Sequence, residues 1–186
     1  MPFSPTDIPG VVVFEPKVFE DSRGSFFEAY NEEIFHAGGV TMKFVQDNQS
    51  TSSYGVIRGL HYQLDPHPQT KLVRVLQGTI LDVAVDIRKG SPTFGKYVAV
   101  ELSAENKKQL LVPAGFAHGF SVLSETAVVL YKCDGLYSKE SEGGIQYNDP
   151  TLAIDWKVPQ GKTIVSDKDL QLPNFAECRN NFEFRQ

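Results

Sequence analysis

The chain has 186 residues, 41% of them hydrophobic and 22% charged, and its 18 Lys and Arg against 23 Asp and Glu leave a net charge of −5. That length supports one domain with a sizeable core and no dependence on disulfides or a structural metal. The acidic balance excludes a general nucleic-acid binder or a protein held to anionic membranes, while leaving room for a local basic pocket. Only Cys133 and Cys178 occur, without C-x-x-C spacing, so two free thiols in a reducing cytoplasm are expected. The first residues carry no basic segment followed by an apolar one, and no apolar run approaches the roughly 18 residues that span a bilayer. A cytoplasmic protein with no membrane partner is the expectation.

Residues 11–14 and 17–19 read as short strands broken at Pro16, a residue that sheets confine to edges and bulges. Asp21-Ser22-Arg23-Gly24 is turn chemistry and leads into 25–30, where Phe26 and Glu28 share a face at period two. Asn31 is placed to cap a short helix over 31–37 that Gly38-Gly39 ends. Residues 44–50 form another strand, with Gln46 and Asn48 in phase. Arg58-Gly59-Leu60-His61-Tyr62-Gln63 then sets charged and imidazole groups among strand-type residues. A Gly inside such a strand marks a bulge or a close backbone approach. A bulge would turn Arg58 and His61, otherwise out of phase, to one side. This stretch is expected to floor a site in which His61 is the base.

From Lys71 onward the β signal strengthens. Residues 72–76 and 80–87 flank Gln77-Gly78-Thr79, which reads as a hairpin turn. In the second arm Leu81, Val83, Val85 and Ile87 face one way, Asp82, Ala84 and Asp86 the other. Strands continue over 94–102, 108–112, 118–123 and 127–132. After Gly135 the pattern loosens, with a short helix over 168–172 stopped by Pro173. Many short strands at regular turn spacing predict an all-β jelly roll with a few short peripheral helices. No repeat or linker divides the chain, so one domain is drawn over 1–186.

Jelly-roll enzymes of the cupin type often bind a metal through His and Glu side chains. Pro113-Ala114-Gly115-Phe116-Ala117-His118 has the P-x-G-x-x-H form of their second motif. In their first motif a Glu stands seven residues before a Gly, and here Lys71 stands seven residues before Gly78. Asp65 and His67, among prolines, do not restore a His pair. An ammonium among the ligands would repel a divalent ion. A metal-free site of organic acid and base groups is expected, with no cofactor.

Arg23, Glu28, Gln46, Asn48, Arg58, His61, Lys71, His118 and Tyr131 are the polar residues left on strand faces. Each has an ordinary structural role open to it: Tyr131 as a core tyrosine, Lys71 as a snorkelling lysine, Arg58 paired with Asp82 or Asp86 across the sheet. Gathered inside one barrel they would be costly without a ligand, and their cations would suit an anionic one.

Arg58-Gly59-Leu60-His61-Tyr62-Gln63, together with Gln69-Thr70-Lys71-Leu72-Val73, closely resembles the dTDP-4-dehydrorhamnose 3,5-epimerase family. So do Asp21-Ser22-Arg23-Gly24, Asp82-Val83-Ala84-Val85-Asp86-Ile87-Arg88, Tyr131-Lys132-Cys133 and Ser166-Asp167-Lys168-Asp169, in order over residues 10–173. The resemblance implies a cofactor-independent epimerase that inverts carbons 3 and 5 of dTDP-4-dehydro-6-deoxy-D-glucose. Both carbons lie alpha to the ketone, so a positioned base can remove their protons. By resemblance His61 is the base, Asp169 the acid that holds its ring, Lys71 the cation at the enolate oxygen and Tyr131 the proton donor on the opposite face. Arg23, Phe26, Glu28, Gln46, Asn48, Arg58, His118, Glu142 and Lys168 are implied to contact the nucleotide-sugar. Family members are dimers, so strands within 1–50 are expected to be shared between subunits, which would bring Arg23, Phe26 and Glu28 to the neighbouring site. Residues 135–186 would be a C-terminal extension, of which 175–186 match nothing in the family pattern. Three other readings stay open: an epimerase of a single carbon in a related dTDP-4-keto-6-deoxy sugar, an inert cupin that only binds sugar or nucleotide, and a metal cupin, which would carry stoichiometric bound metal.

Overall fold

The computed structural model describes residues 2–184; Met1, Arg185 and Gln186, at the ends of the expected 1–186 domain, lie outside the described residues. In chain order the strands are β1 (Phe3–Pro5), β2 (Val12–Phe14), β3 (Val18–Asp21), β4 (Gly24–Phe27), β5 (Gln46–Ser53), β6 (Ile57–Gln63) and β7 (Lys71–Gln77). They continue as β8 (Thr79–Asp86), β9 (Tyr97–Ser103), β10 (Gln109–Val112), β11 (Phe116–Val122), β12 (Thr126–Cys133) and β13 (Glu142–Gly144). One sheet runs β1-β2-β10-β7-β12-β5 and a second β13-β6-β11-β8-β9, while β3 and β4 form a separate hairpin. Strand pairing is antiparallel throughout both sheets. The two sheets make the expected jelly roll, with α1 (Glu32–Ala37) and α2 (Asp167–Leu170) as its short helices.

Local sequence explains the helix ends. The Asn31 side chain accepts from the Glu33 and Ile34 N–H groups, and Ser166 accepts from the Asp169 N–H. Each satisfies donors that the first turn leaves without a partner.

One turn differs from expectation. Gln77-Gly78-Thr79 does not close a hairpin: β7 lies in the larger sheet and β8 in the smaller, so the chain crosses between sheets at Gly78. Gly78 has φ of +77°, and a Cβ there would stand 2.1 Å from the Thr126 carbonyl oxygen. The tight turn is as expected, but partner strands supplied from β11 and β12 decide where each arm goes.

The alternation read in β8 sorts the core. Ile80 and Ala84 join Val73, Val75, Phe120, Val122 and Val129 in a cluster between the sheets. Leu81, Val83, Val85 and Ile87 pack on the opposite face against Ile145, Leu152, Trp156 and Phe182 from the C-terminal extension. Each fully buried aliphatic side chain here contributes about 1.5–3 kcal/mol. With both faces of the smaller sheet covered in this way, the barrel can keep one stretch of its interior polar.

Candidate active site

Strand register builds the polar interior. Tyr131 of β12 pairs with Asn48 on one side and Val73 on the other, and Cys133 pairs with Gln46 and Lys71. Residues directly opposite across a ladder face the same way, so Gln46, Asn48, Lys71 and Tyr131 form one wall. On the facing sheet His118 pairs with His61, and His61 with Gly144. Between His61 and Arg58 the register slips: three residues of β6 span what two residues of β11 span, from His118 to Phe120. The extra residue is the expected bulge at Gly59. Ile57, Leu60 and Tyr62 therefore go to the outer cluster, while Arg58 reaches Ser52 of the facing sheet and His61 enters the cavity.

That cavity holds about 570 Å³ and is lined by Gln46, Asn48, His61, Lys71, Tyr131, Glu142 and Lys168 among the residues singled out in the sequence. Asp169 stands beneath His61: the imidazole Nε2 is 2.8 Å from Asp169 Oδ1. A carboxylate can only accept there, so Nε2 carries the proton and Nδ1 is left free to act as a base. Asp169 is buried, yet hydrogen bonds and charge from His61, aided by the Gly59 and Ser166 donors, outweigh that burial and hold its carboxyl below the usual range.

Lys71 and Tyr131 face the same space, the Lys71 Nζ lying 5.9 Å from the centre of the Tyr131 ring. Burial pushes the Lys71 ammonium down from its ordinary value, opposed by Cys133 and Asp82. Burial pushes the Tyr131 phenol up, reinforced by Cys133, while Arg58 pulls the other way. At neutral pH the wall therefore presents a protonated phenol. At the mouth Lys168 Nζ sits 3.0 Å from both Glu142 carboxylate oxygens.

Other expected residues stand elsewhere. His118 is buried outside the cavity lining, its Nε2 2.8 Å from Asp82 Oδ1; Asp82 Oδ2 has no hydrogen-bond partner among the described residues. Arg58 does not pair with Asp82 or Asp86. Its Nε donates to Ser52 Oγ at 2.9 Å, because Asp82 is taken by His118 and Asp86 by Arg88. Arg23 and Phe26 belong to the β3–β4 hairpin and line a separate concavity, with Arg23 bound to Asp21 at 2.6 Å. Glu28 accepts from the Asn31 side chain at 3.1 Å.

The sequence reading missed Tyr62, Gln63, Gln69, Tyr137 and Arg179 in the lining. Gln63 carried a signal, since it is in phase with His61 on β6. Tyr137 and Arg179 lie in irregular chain, where no periodicity points inward. Among the described residues no three His, Cys, Asp or Glu side chains come together as a metal-ligand group, and no helix is long and apolar enough to cross a membrane.

Known proteins resemble this chain over most of its length. The sequence profile of dTDP-4-dehydrorhamnose 3,5-epimerase matches residues 5–177. The Shigella flexneri enzyme of that name is 54% identical over 174 residues, covering 93% of this chain and 95% of its own. The crystal structure of the Elizabethkingia anophelis dTDP-4-dehydrorhamnose 3,5-epimerase superposes with a TM-score of 0.90 at 55% identity, covering 94% of this chain and 96% of that one. A Legionella pneumophila epimerase, solved in complex with dTDP-4-keto-L-rhamnose, gives a TM-score of 0.90 at 48% identity over 94% of this chain and 93% of its own.

Proposed function

The chain belongs to the dTDP-4-dehydrorhamnose 3,5-epimerase family, and with that as premise we propose how its residues divide the reaction. The activity is the inversion of carbons 3 and 5 of a dTDP-4-dehydro-6-deoxy-D-glucose to give dTDP-4-dehydro-L-rhamnose, a step of rhamnose biosynthesis. His61 removes the proton alpha to the ketone through Nδ1, while Asp169 holds Nε2 and balances the charge the ring acquires. Lys71 meets the oxygen that becomes an enolate, a site where a fixed cation is worth most because water is excluded. Tyr131 returns a proton from the other face of the sugar. The observation that carries this reading is the placement of His61 and Tyr131 on opposite sheets of one cavity, with Lys71 on the Tyr131 wall. Inversion requires removal and return from opposite faces; binding alone would need neither group.

Gln46, Asn48, Glu142 and Lys168 hold the nucleotide-sugar from the cavity lining, and Arg58 and His118 support it from the walls. The working unit is a homodimer. Since β1 and β2 pair within the chain's own sheet, the shared part of residues 1–50 is the β3–β4 hairpin, which would carry Arg23 and Phe26, with Glu28 just beyond it, to the neighbouring cavity. Its Phe19 and Phe26 are 53% and 68% exposed, apolar surface that a second subunit would cover. The enzyme works in the cytoplasm, without a cofactor.

Proton NMR of dTDP-4-dehydro-6-deoxy-D-glucose incubated with the protein in heavy water tests this. Deuterium should enter carbons 3 and 5, and His61→Ala should abolish both exchanges while nucleotide binding stays near normal. Exchange at one carbon alone would make it a single-carbon epimerase, and wild-type exchange by His61→Ala would move the base elsewhere.

A further inference from the structure

The last stretch of chain, beyond the matched 5–177, is tied down more firmly than its irregular course implies. The Tyr62 hydroxyl donates to the Arg179 carbonyl oxygen at 2.5 Å. The Asn180 side chain donates to the Ile87 carbonyl, Phe182 is buried in the outer cluster, and the backbone of Lys89 hydrogen-bonds that of Phe182 and Phe184 on either side of Glu183. On the other side of Arg179 the Phe175 N–H donates to Asp149 Oδ2 at 2.7 Å, and the anchors together leave the Arg179 side chain at the edge of the catalytic cavity, which it lines with Tyr62, Gly143 and Pro173.

The charges around that mouth are otherwise committed. Lys168 is held by Glu142, and Asp169 by His61. Among the described residues Arg179 forms no ion pair, and its position in the exposed rim leaves all five guanidinium donors available. Resting on the epimerase reading above, we infer that Arg179 is a substrate-binding residue that grips the diphosphate of the nucleotide-sugar, and that residues 174–184 form a strap whose purpose at this site is to deliver it. The diphosphate is the anionic part of such a ligand, and a guanidinium fork matches paired phosphate oxygens. A neutral sugar or a thymine ring would give an unpaired, backbone-anchored cation no comparable partner.

Tyr62 has a second part in this. It directs its ring outward from the strand that carries His61 inward, so the residue next to the base sets the backbone of the residue that holds the phosphates. Tyr62→Phe removes the tether and leaves the strand and its packing in place.

Calorimetric binding of dTDP and of thymidine, with steady-state kinetics on the nucleotide-sugar, tests the inference. Arg179→Ala keeps the carbonyl that Tyr62 binds, and should weaken dTDP roughly tenfold, the worth of about one charge-assisted hydrogen bond. KM should rise in parallel with kcat unchanged; thymidine affinity should not move, and Arg179→Lys should recover part of the loss. Tyr62→Phe should raise KM in the same direction by a smaller factor. Wild-type dTDP affinity in Arg179→Ala overturns the inference alone, as does an equal loss for thymidine. A wild-type protein that binds no dTDP overturns the epimerase reading along with it.

Discussion

Asp169 binds the imidazole of His61 with one carboxylate oxygen, Oδ1 at 2.8 Å, and the backbone N–H of Gly59 with the other, Oδ2 at 3.2 Å. One carboxylate thus holds both the ring and the bulge that turns the ring into the cavity. The Ser166 cap at the start of α2 aims Asp169 at this point, 108 positions away from its histidine in sequence.

Asp169→Asn should therefore fail in a particular way. The amide can present its N–H to Nε2, reversing the tautomer and moving the proton onto the nitrogen proposed as the base. A loss of roughly 10³–10⁴ in kcat is expected, the size seen when an acid that orients a histidine is made an amide. Retained dTDP affinity, measured in parallel, would confirm that the fold survives; kcat within tenfold of wild type would remove Asp169 from the mechanism.

Gly59 should tolerate no side chain. Its φ is +115°, and a Cβ would stand 2.6 Å from both the His118 carbonyl oxygen and the Gly119 Cα. Neither neighbour is a flexible side chain that can swing away, because both are backbone atoms of the paired strand β11. Gly59→Ala should lower the unfolding free energy by about 3 kcal/mol or more, combining backbone strain with the clash. Urea denaturation measures this directly, and a loss under about 1 kcal/mol would contradict the close approach.

The pH profile should be shaped by Lys71 on its alkaline side. Burial lowers the pKa of its ammonium, so the charge proposed to meet the enolate oxygen is lost as pH rises through a value below the ordinary 10.5. Tyr131 moves the opposite way, its phenol raised by burial, and stays protonated through that range. The alkaline fall in kcat should accordingly vanish in Lys71→Met, along with roughly 10²–10³ of rate at neutral pH. Persistence of the same alkaline limb in that variant would assign it to another group. Stability responds to acid through Asp169: its folded pKa is lowered, so its contribution is complete above the unfolded value near 3.8 and disappears as pH falls through the folded one.

Much of this arrangement is legible in the sequence where a local rule acts alone. The β8 alternation sorts Leu81, Val83, Val85 and Ile87 from Ile80 and Ala84 without tertiary information, since a strand has two faces. Gly59 between Arg58 and His61 announces a bulge or a close backbone approach, and both are found there. Gly78 is different. A tight turn with positive φ serves a hairpin and a crossing between sheets equally well, and the choice belongs to strands more than 30 residues away. Asp82 likewise looks available to Arg58 until register sets it diagonally from His118 on β11. Arg179 was beyond reach, because irregular chain carries no period and only Tyr62, Ile87 and the buried Phe182 fix its place.

Tyr131 offers the sharpest separation of the two half-reactions. Its hydroxyl lies on the sheet opposite His61, so Tyr131→Phe leaves His61, its Asp169 partner and Lys71 in place. Proton abstraction should go on, and with it solvent deuterium exchange at the carbons His61 reaches. The intermediate, lacking a donor on the far face, should be reprotonated mainly by the imidazolium that took the proton. Exchange with retention of the starting configuration is then the expected product, with inversion reduced by roughly 10²-fold or more, the contribution of a positioned acid. Product stereochemistry read from the sugar-ring coupling constants decides it: inversion at the wild-type ratio to exchange would mean that another group delivers the second proton.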